Sequence, residues 1–323
     1  MVSPSGDVLG EGSHEAVGKP HAEVVALEQA GPAAAGSTLY VTLEPCTHHG
    51  NTPPCVDAII AAGVARVVIG AEDPDVRVSG AGMVSLRQSG VEVIDDLMSV
   101  EEAETVDPAY FRHRRTGMPT ITLKYAMTLD GSIAAVDGSA RWVSSEAARE
   151  DSHRLRAEMD AIVVGAGTVR SDDPRLTVRL EGYEGPQPVP VVVAGEGDLP
   201  EEAAIWERSP LVIASSSRPI PTGSLVVVEG VGGLPDPGAA ARAIADRGHL
   251  DVLLEGGSDL AGAWWREGVV NRGVIYLAAK LGGGRGISPL GGVFSRIEEA
   301  TEVEITSVRS LDGDYRVEFE RII

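Results

Sequence analysis

The sequence predicts an α/β protein of two domains, and three observations carry that prediction. Short β-rich runs alternate with stretches of helical spacing along most of the chain, the pattern of strands covered by helices. A length of 323 residues corresponds to about two domains at roughly 150 residues each, and a hydrophobic fraction of 43% is enough to fill two cores. Residues 99–118 interrupt the alternation with an acidic helical piece, then Asp107-Pro108, then the basic run Arg112-His113-Arg114-Arg115. That stretch reads as a linker with a solvated charged face, and it divides the chain into domains 1–115 and 116–323.

In the first domain a short strand begins at Val8-Leu9, and apolar spacing predicts a helix over 22–30 that stops at Gly31-Pro32. A strand over 38–43, a helix over 54–62, a strand over 66–70, a helix within 80–90 and a short strand over 91–94 follow. In the second domain a strand over 119–123 precedes an amphipathic helix over 145–158 that carries Arg149, His153 and Arg156. Strands are expected over 160–165, 189–194, 211–214 and 251–254, then a helix with Trp264 and Trp265, then strands over 273–278 and 315–321.

Charge and cysteine usage narrow the function. A formal net charge of −21 argues against nucleic acid and anionic membranes as partners and leaves a small molecule. No apolar run approaches the roughly 18 residues of a membrane helix, and the first residues, Met1 to Gly6, do not form a signal peptide. A reducing, cytoplasmic location is expected, which suits thiolate ligands better than a disulfide.

The two cysteines, Cys46 and Cys55, each follow a proline, and His21-Ala22-Glu23 lies upstream of both. One imidazole and two thiolates are the ligand set of a catalytic zinc whose fourth position stays open to water. The order His-x-Glu, then Pro-Cys, then Cys is the zinc-deaminase signature, in which the glutamate moves protons and does not bind the metal. Cys46, Cys55 and His21 are therefore the expected zinc ligands, and Glu23 the expected acid–base catalyst. The alternatives are a disulfide, buried packing, or a closed structural zinc drawing on His48-His49. Eight residues separate the cysteines where the general signature has two.

In the second domain Gly165-Ala166-Gly167 follows a strand, but Arg170 stands in place of the third glycine of a dinucleotide fingerprint, so a Rossmann site is not expected. Glu255-Gly256-Gly257-Ser258 lies between a strand and a helix and reads as an anion-binding turn, with a plain tight turn as the alternative.

Several motifs together resemble one family. In the first domain they are Glu11-Gly12, Pro20-His21-Ala22-Glu23, the run from Thr42 to Gly50, Thr52-Pro53-Pro54-Cys55, and the run from Ala62 to Val68. In the second they are Lys124-x-Ala126-x-x-Leu129-Asp130-Gly131, Asp172-Asp173-Pro174-x-Leu176-Thr177-x-Arg179 and Leu253-x-Glu255-Gly256-Gly257. These are similar to the bifunctional deaminase/reductase family of riboflavin biosynthesis. The resemblance implies a three-layer domain like that of cytidine deaminases, followed by a domain like dihydrofolate reductase that uses NADPH. It implies hydrolysis of a 2-amino group on a diaminopyrimidinone ribosylamine phosphate, then reduction of the ribosyl group to ribityl. The alternatives are a reductase whose zinc domain is structural or inactive, and a zinc deaminase acting on RNA or a free base.

By position, the resemblance implies that Ala126, Trp142, Thr168 and Asp172 line the NADPH site and that the turn Gly257, Ser258, Asp259, Leu260, Ala261, Gly262 and Ala263 holds its phosphates. Arg156, Leu176, Arg179 and Glu255 would contact substrate, with Lys124 near the ribityl chain and Ala140 where relatives often have serine. Asn51 stands where relatives have Lys or Arg. Pairing of two chains through the reductase domain is implied as well. Relatives carry a helix and a Pro-Asn-Pro strand ahead of the position of Met1, so weak deamination by this chain is an expectation of the same resemblance.

Overall fold

A computed structural model describes the chain except for residues 15–17, 48–52, 76–77, 96, 141–142, 196 and 323. Trp142, Asn51 and His48-His49 lie outside the described residues. The chain divides into Met1–Thr116 and Gly117–Ile323.

The first unit runs α1 (Ala22–Ala30), β1 (Thr38–Leu43), α2 (Cys55–Ala61), β2 (Arg66–Ala71), α3 (Ala81–Gln88), β3 (Glu92–Ile94), α4 (Val100–Val106) and α5 (Pro108–Thr116). The three strands pair in parallel in the order β1-β2-β3. Ala26 and Leu27 of α1, Val56 and Ile59 of α2, and Met83 and Leu86 of α3 close over Leu39, Val67 and Ile69 of the sheet. Val8 makes an isolated bridge to Val2, where a strand was expected.

The stretch expected to be a linker is part of this unit. Ser99 caps α4 reciprocally with Glu102, the capping box that a Ser-x-x-Glu spacing allows. In α5 the helical repeat pairs Tyr110 with Arg114 and Phe111 with Arg115, and each guanidinium lies over the ring four residues earlier, at 4.7 Å and 5.8 Å. Phe111 is 1% exposed and packs with Ala71 and Ala103. The basic run is therefore one flank of a docked helix, because Arg114 and Arg115 stand on half-buried Tyr110 and buried Phe111.

The second unit runs β4 (Thr120–Thr128), α6 (Glu146–Ala157), β5 (Ala161–Gly165), α7 (Ala166–Asp172), β6 (Val189–Ala194), β7 (Leu211–Ala214) and β8 (Ser224–Val227). It continues with β9 (Gly230–Val231), β10 (Leu234–Pro235), α8 (Pro237–Ala245), β11 (Asp251–Leu254), α9 (Ser258–Arg266), β12 (Arg272–Ala278), β13 (Val303–Leu311) and β14 (Asp314–Arg321). The nine-stranded sheet has the order β13-β14-β12-β4-β11-β5-β6-β7-β8. Strands β12 to β8 in that order are parallel, and β14 and β13 add antiparallel at one edge.

Strand alternation separates two cores. Ile162, Val164, Val192 and Val212 face α6 and α7, packing with Leu155 and Val169. Ala161, Val163, Val191 and Leu211 face α8 and α9, packing with Ile244 and Trp264. Near-continuous apolar runs in β5 and β6 follow from this burial on both faces.

Candidate functional site

In the first unit, α1 and α2 bring the predicted ligands together. His21 is the N-cap of α1, Cys55 is the first residue of α2, and Cys46 follows β1. His21 Nδ1 lies 3.6 Å from Cys46 Sγ and 3.2 Å from Cys55 Sγ. The three donor atoms lie within 4.8 Å of one another. Zinc bonds of about 2.3 Å to sulfur and about 2.0–2.1 Å to nitrogen imply tetrahedral edges of roughly 3.6 Å, so the donor set fits that ion. The Cys55 backbone N–H donates to Cys46 Sγ at 3.4 Å, which steadies that sulfur as an acceptor. Contact with Cys46, burial and the nearby Glu23 push the Cys55 thiol up, the crowding of negative charge that a divalent cation would relieve.

Glu23 stands in the first turn of α1, two residues from His21. Burial pushes its carboxyl above the usual range, against the pull of its backbone N–H and of His21. A carboxyl so placed is suited to carry a proton. It lines a cavity of about 640 Å³ together with His21 and Cys46.

The same cavity has further lining residues to which no sequence motif pointed. They include Asp73, Asp75, Tyr110 and Arg114. The Tyr110 hydroxyl donates to both Asp73 oxygens at 3.0 and 2.9 Å, the Asp75 N–H donates to Asp73 at 2.8 Å, and Arg114 pairs with Asp75 at 3.4 Å. Burial raises the Asp73 pKa, partly offset by the Asp75 N–H and the Tyr110 hydroxyl. Tyr110 and Asp73 are 37 residues apart, so no local spacing could announce the pair.

Glu44, inside the Glu-Pro-Cys motif, is 3% exposed and accepts from the N–H groups of Gly80 (2.8 Å), Gly82 (2.7 Å) and Met83 (3.1 Å). It ties the Cys46 turn to the N-terminus of α3 and places a negative charge at the positive end of that helix. Gly82 is required there, since a Cβ would stand 2.2 Å from the Pro45 carbonyl oxygen. Glu44→Ala is expected to cost about 3 kcal/mol, because three buried donors lose a charged acceptor. Faster hydrogen exchange at the Gly82 and Met83 amides would report it, and unchanged exchange would refute it.

In the second unit, Glu255 follows β11 and meets residues from two other elements. Arg156 of α6 donates to it through Nε and Nη2, each at 2.7 Å, and the Lys124 ammonium of β4 lies 3.7 Å away. Burial alone would raise this carboxyl, but Lys124 and Arg156 together hold it at about 2. Arg156 Nη1 also donates to the Thr177 carbonyl at 3.0 Å, which ties α6 to the stretch that carries Leu176 and Arg179. Leu176 is buried with φ of 50°, and Asp173 has φ of 43°, so this turn holds two non-glycine residues in left-handed backbone.

Two helix N-termini lie side by side. A Cβ on Gly257 would be 3.6 Å from Thr168 Oγ1, and one on Gly165 would be 3.7 Å from Leu260. Thr168, Gly257 and Leu260 are thus brought together at the carboxyl ends of β5 and β11, the place where open α/β sheets bind ligands. The Ser258 hydroxyl donates to the Ser288 carbonyl at 2.6 Å. Ala261 is buried, a Cβ on Gly262 would meet the Gly291 carbonyl at 2.2 Å, and Ala263 packs on the core, so these three turn inward. Asp259 is in the first turn of α9, and Asp172 ends α7. Ala126 lies on β4 opposite Tyr276, and Ala140 is exposed between β4 and α6.

Comparison with known proteins follows this division. The cytidine and deoxycytidylate deaminase zinc-binding region matches residues 1–71, and the RibD C-terminal domain matches 119–317. The riboflavin biosynthesis protein RibD of Mycobacterium tuberculosis is 43% identical over 285 residues, covering 88% of this chain and 78% of that one. RibD of Aquifex aeolicus is 39% identical over 328 residues, 99% of this chain and 91% of the other. Among solved structures, Acinetobacter baumannii RibD superposes with a TM-score of 0.85 at 32% identity, covering 99% and 90% of the two chains. A Thermotoga maritima structure described as a diaminohydroxyphosphoribosylaminopyrimidine deaminase/5-amino-6-(5-phosphoribosylamino)uracil reductase gives 0.81 at 32% identity, with 99% and 90% covered. With both domains matched in order, over 78–91% of the length of these relatives, the chain belongs to the RibD family, the bifunctional deaminase/reductase enzymes of riboflavin biosynthesis.

Proposed function

We propose that the first unit hydrolyses the 2-amino group of 2,5-diamino-6-ribosylamino-4(3H)-pyrimidinone 5′-phosphate, and that the second reduces the ribosyl group of the product to ribityl with NADPH. The reading is supported by the activities in the description of the Thermotoga maritima protein. The observation that carries it is the convergence of His21, Cys46 and Cys55 on one point, with His21, Cys46 and Glu23 lining one cavity.

His21, Cys46 and Cys55 would hold zinc, which when bound supplies the Lewis acid that makes water a nucleophile at neutral pH. Glu23 takes the proton from the attacking water and delivers it to the amino nitrogen, which leaves as ammonia. Asp73, held by the Tyr110 hydroxyl, would offer carboxylate oxygens to the pyrimidine in the same cavity.

In the second unit NADPH, when bound, would supply hydride for reduction at the ribosyl C1. Thr168, Asp172 and the start of α9 from Gly257 to Leu260 would hold the cofactor, along with Ala126 and Trp142, while Ala261, Gly262 and Ala263 turn inward and would fix that helix from behind. Arg156 and Arg179 hold the substrate phosphate, Glu255 orients Arg156 and Lys124, Lys124 faces the ribityl chain, and Leu176 and Ala140 complete the pocket. Two free cysteines used as ligands support a cytoplasmic, reducing location. No helix of the described residues is long and apolar enough to cross a membrane. Two chains would pair through the second unit, covering the exposed Val293, Phe294 and Ile297.

Ammonia release and NADPH oxidation, assayed separately on the intact chain, test the reading. The diaminopyrimidinone should release ammonia, and its deaminated product should oxidise NADPH. NADPH oxidation without ammonia would leave a reductase alone, and neither activity would refute the proposal. Elemental analysis should find about one zinc per chain, lost in Cys46→Ser and Cys55→Ser. Unchanged zinc in both variants would remove these ligands.

A further inference from the structure

His153 lies on α6 three residues before Arg156 and four after Arg149, so the three share one helix face. It is half-buried, and both of its ring nitrogens face Arg179. The Arg179 backbone N is 3.3 Å from Nδ1, and the guanidinium Nε and Nη2 are each 3.4 Å from Nε2. A neutral imidazole meets one of these donors with a lone pair, whereas an imidazolium meets neither.

The surrounding charge favours the neutral ring as well. Arg156, Arg179 and Lys124 are cations around it, and Glu255, which pulls the other way, is engaged with Arg156 and Lys124. Burial, Arg156 and Arg179 hold His153 down to about 4, so it is neutral at pH 7.

The two arginines are thus held in different ways. Glu255 holds Arg156, and with Thr177 it engages three of the five guanidinium donors. Among the described residues no carboxylate pairs with Arg179, and its partner is an uncharged ring. Lys124, Arg156 and Arg179 against Glu255 leave this group of four side chains with two positive charges. A phosphate monoester carries about −1.5 to −2 at pH 7, which matches.

We propose that His153 is the positioning residue of the reductase's phosphate site: as a neutral acceptor it orients the Arg179 guanidinium and leaves its full charge for the phosphomonoester of the substrate. This rests on the assignment of Arg179 to the substrate phosphate made above. A carboxylate in the same place would orient Arg179 equally well but would compete with the phosphate for its charge. A cation would drive Arg179 away.

Steady-state reduction of 5-amino-6-(5-phosphoribosylamino)uracil at saturating NADPH tests this, with calorimetric binding of ribose 5-phosphate beside it. His153→Leu should raise KM and the ribose 5-phosphate Kd by about 10-fold, the loss of one charge-assisted hydrogen bond, with kcat nearly unchanged. His153→Gln should restore both to within about 3-fold, since an amide oxygen still accepts. His153→Lys should bind ribose 5-phosphate at least as weakly as His153→Leu. Binding by His153→Lys as tight as that of the unmodified protein would show that a cation serves at this place, and the proposal fails. His153→Gln as weak as His153→Leu would reduce the residue to a filler of space, and the proposal fails again. Arg179→Met gives the separate check. If it leaves ribose 5-phosphate binding unchanged, the phosphate assignment itself is wrong, whatever His153 does.

Discussion

Glu23→Gln is expected to keep its zinc and to lose ammonia release by about 10²–10⁴-fold, the range over which general acid–base help acts. The amide has nearly the shape of the carboxyl but can neither accept the proton from the attacking water nor return one to the departing nitrogen. The ligands His21, Cys46 and Cys55 are untouched, so metal content should not change. NADPH oxidation should also be unchanged, because the second unit has its own core and its own site residues. Ammonia release within a few-fold of the unmodified chain would remove Glu23 from the mechanism. Loss of zinc together with activity would make it a structural residue of the metal site.

Glu255→Gln should have the largest effect on the second unit. The carboxylate is the shared partner of Arg156 and Lys124, and all three side chains are largely buried. Removing it leaves two buried cations without a counter-charge, a class of change that costs about 3–5 kcal/mol. Reductase turnover should fall with it, since both cations are substrate groups. The pH dependence has a definite sign. Lys124 and Arg156 outweigh the effect of burial and lower the Glu255 pKa from its ordinary 4.5 to about 2 on folding. Its stabilising contribution is therefore complete above about 4.5 and is lost as the pH falls from there toward 2. Trp142, Trp206, Trp264 and Trp265, the 4 tryptophans of the chain, all fall in this unit. Their fluorescence during urea unfolding follows this unit without the other. The variant should be less stable at pH 7 and should lose less stability between pH 5 and pH 3 than the unmodified chain. Equal stability at pH 7 would show that the triad contributes nothing.

The helices and strands that the sequence made legible share one property: their signals are local. The helix α1 and strands β1, β6, β7 and β11 occupy the predicted spans, because their apolar runs end at glycine, proline or polar turns. Two kinds of missed element differ in what the sequence offered. The helix α8 carried a readable start, since Asp236 accepts from the Ala239 N–H at 2.7 Å and Pro237 follows it, but its alanine-rich body hid the apolar face. Strands β8 and β13 had no such signal. They lie at the two edges of the sheet, where one side is unpaired and mixed polarity is tolerated. The basic run of α5 read as solvated because its aromatic supports, Tyr110 and Phe111, stand one helical turn away.

Sequence alone determined the α/β class, the two-part organisation, the zinc-type donor set and its neighbouring glutamate. Two short motifs, each beside a helix start, carry those donors, and chain neighbours need no fold to be read together. Only the tertiary structure decided which charges meet. Glu255 finds Arg156 from 99 residues away, Lys124 reaches the same carboxylate because β11 lies between β4 and β5, and Tyr110 finds Asp73 from 37 residues away. Strand order and register set those encounters. Both depend on how whole faces pack, so no spacing between residues along the chain encodes them.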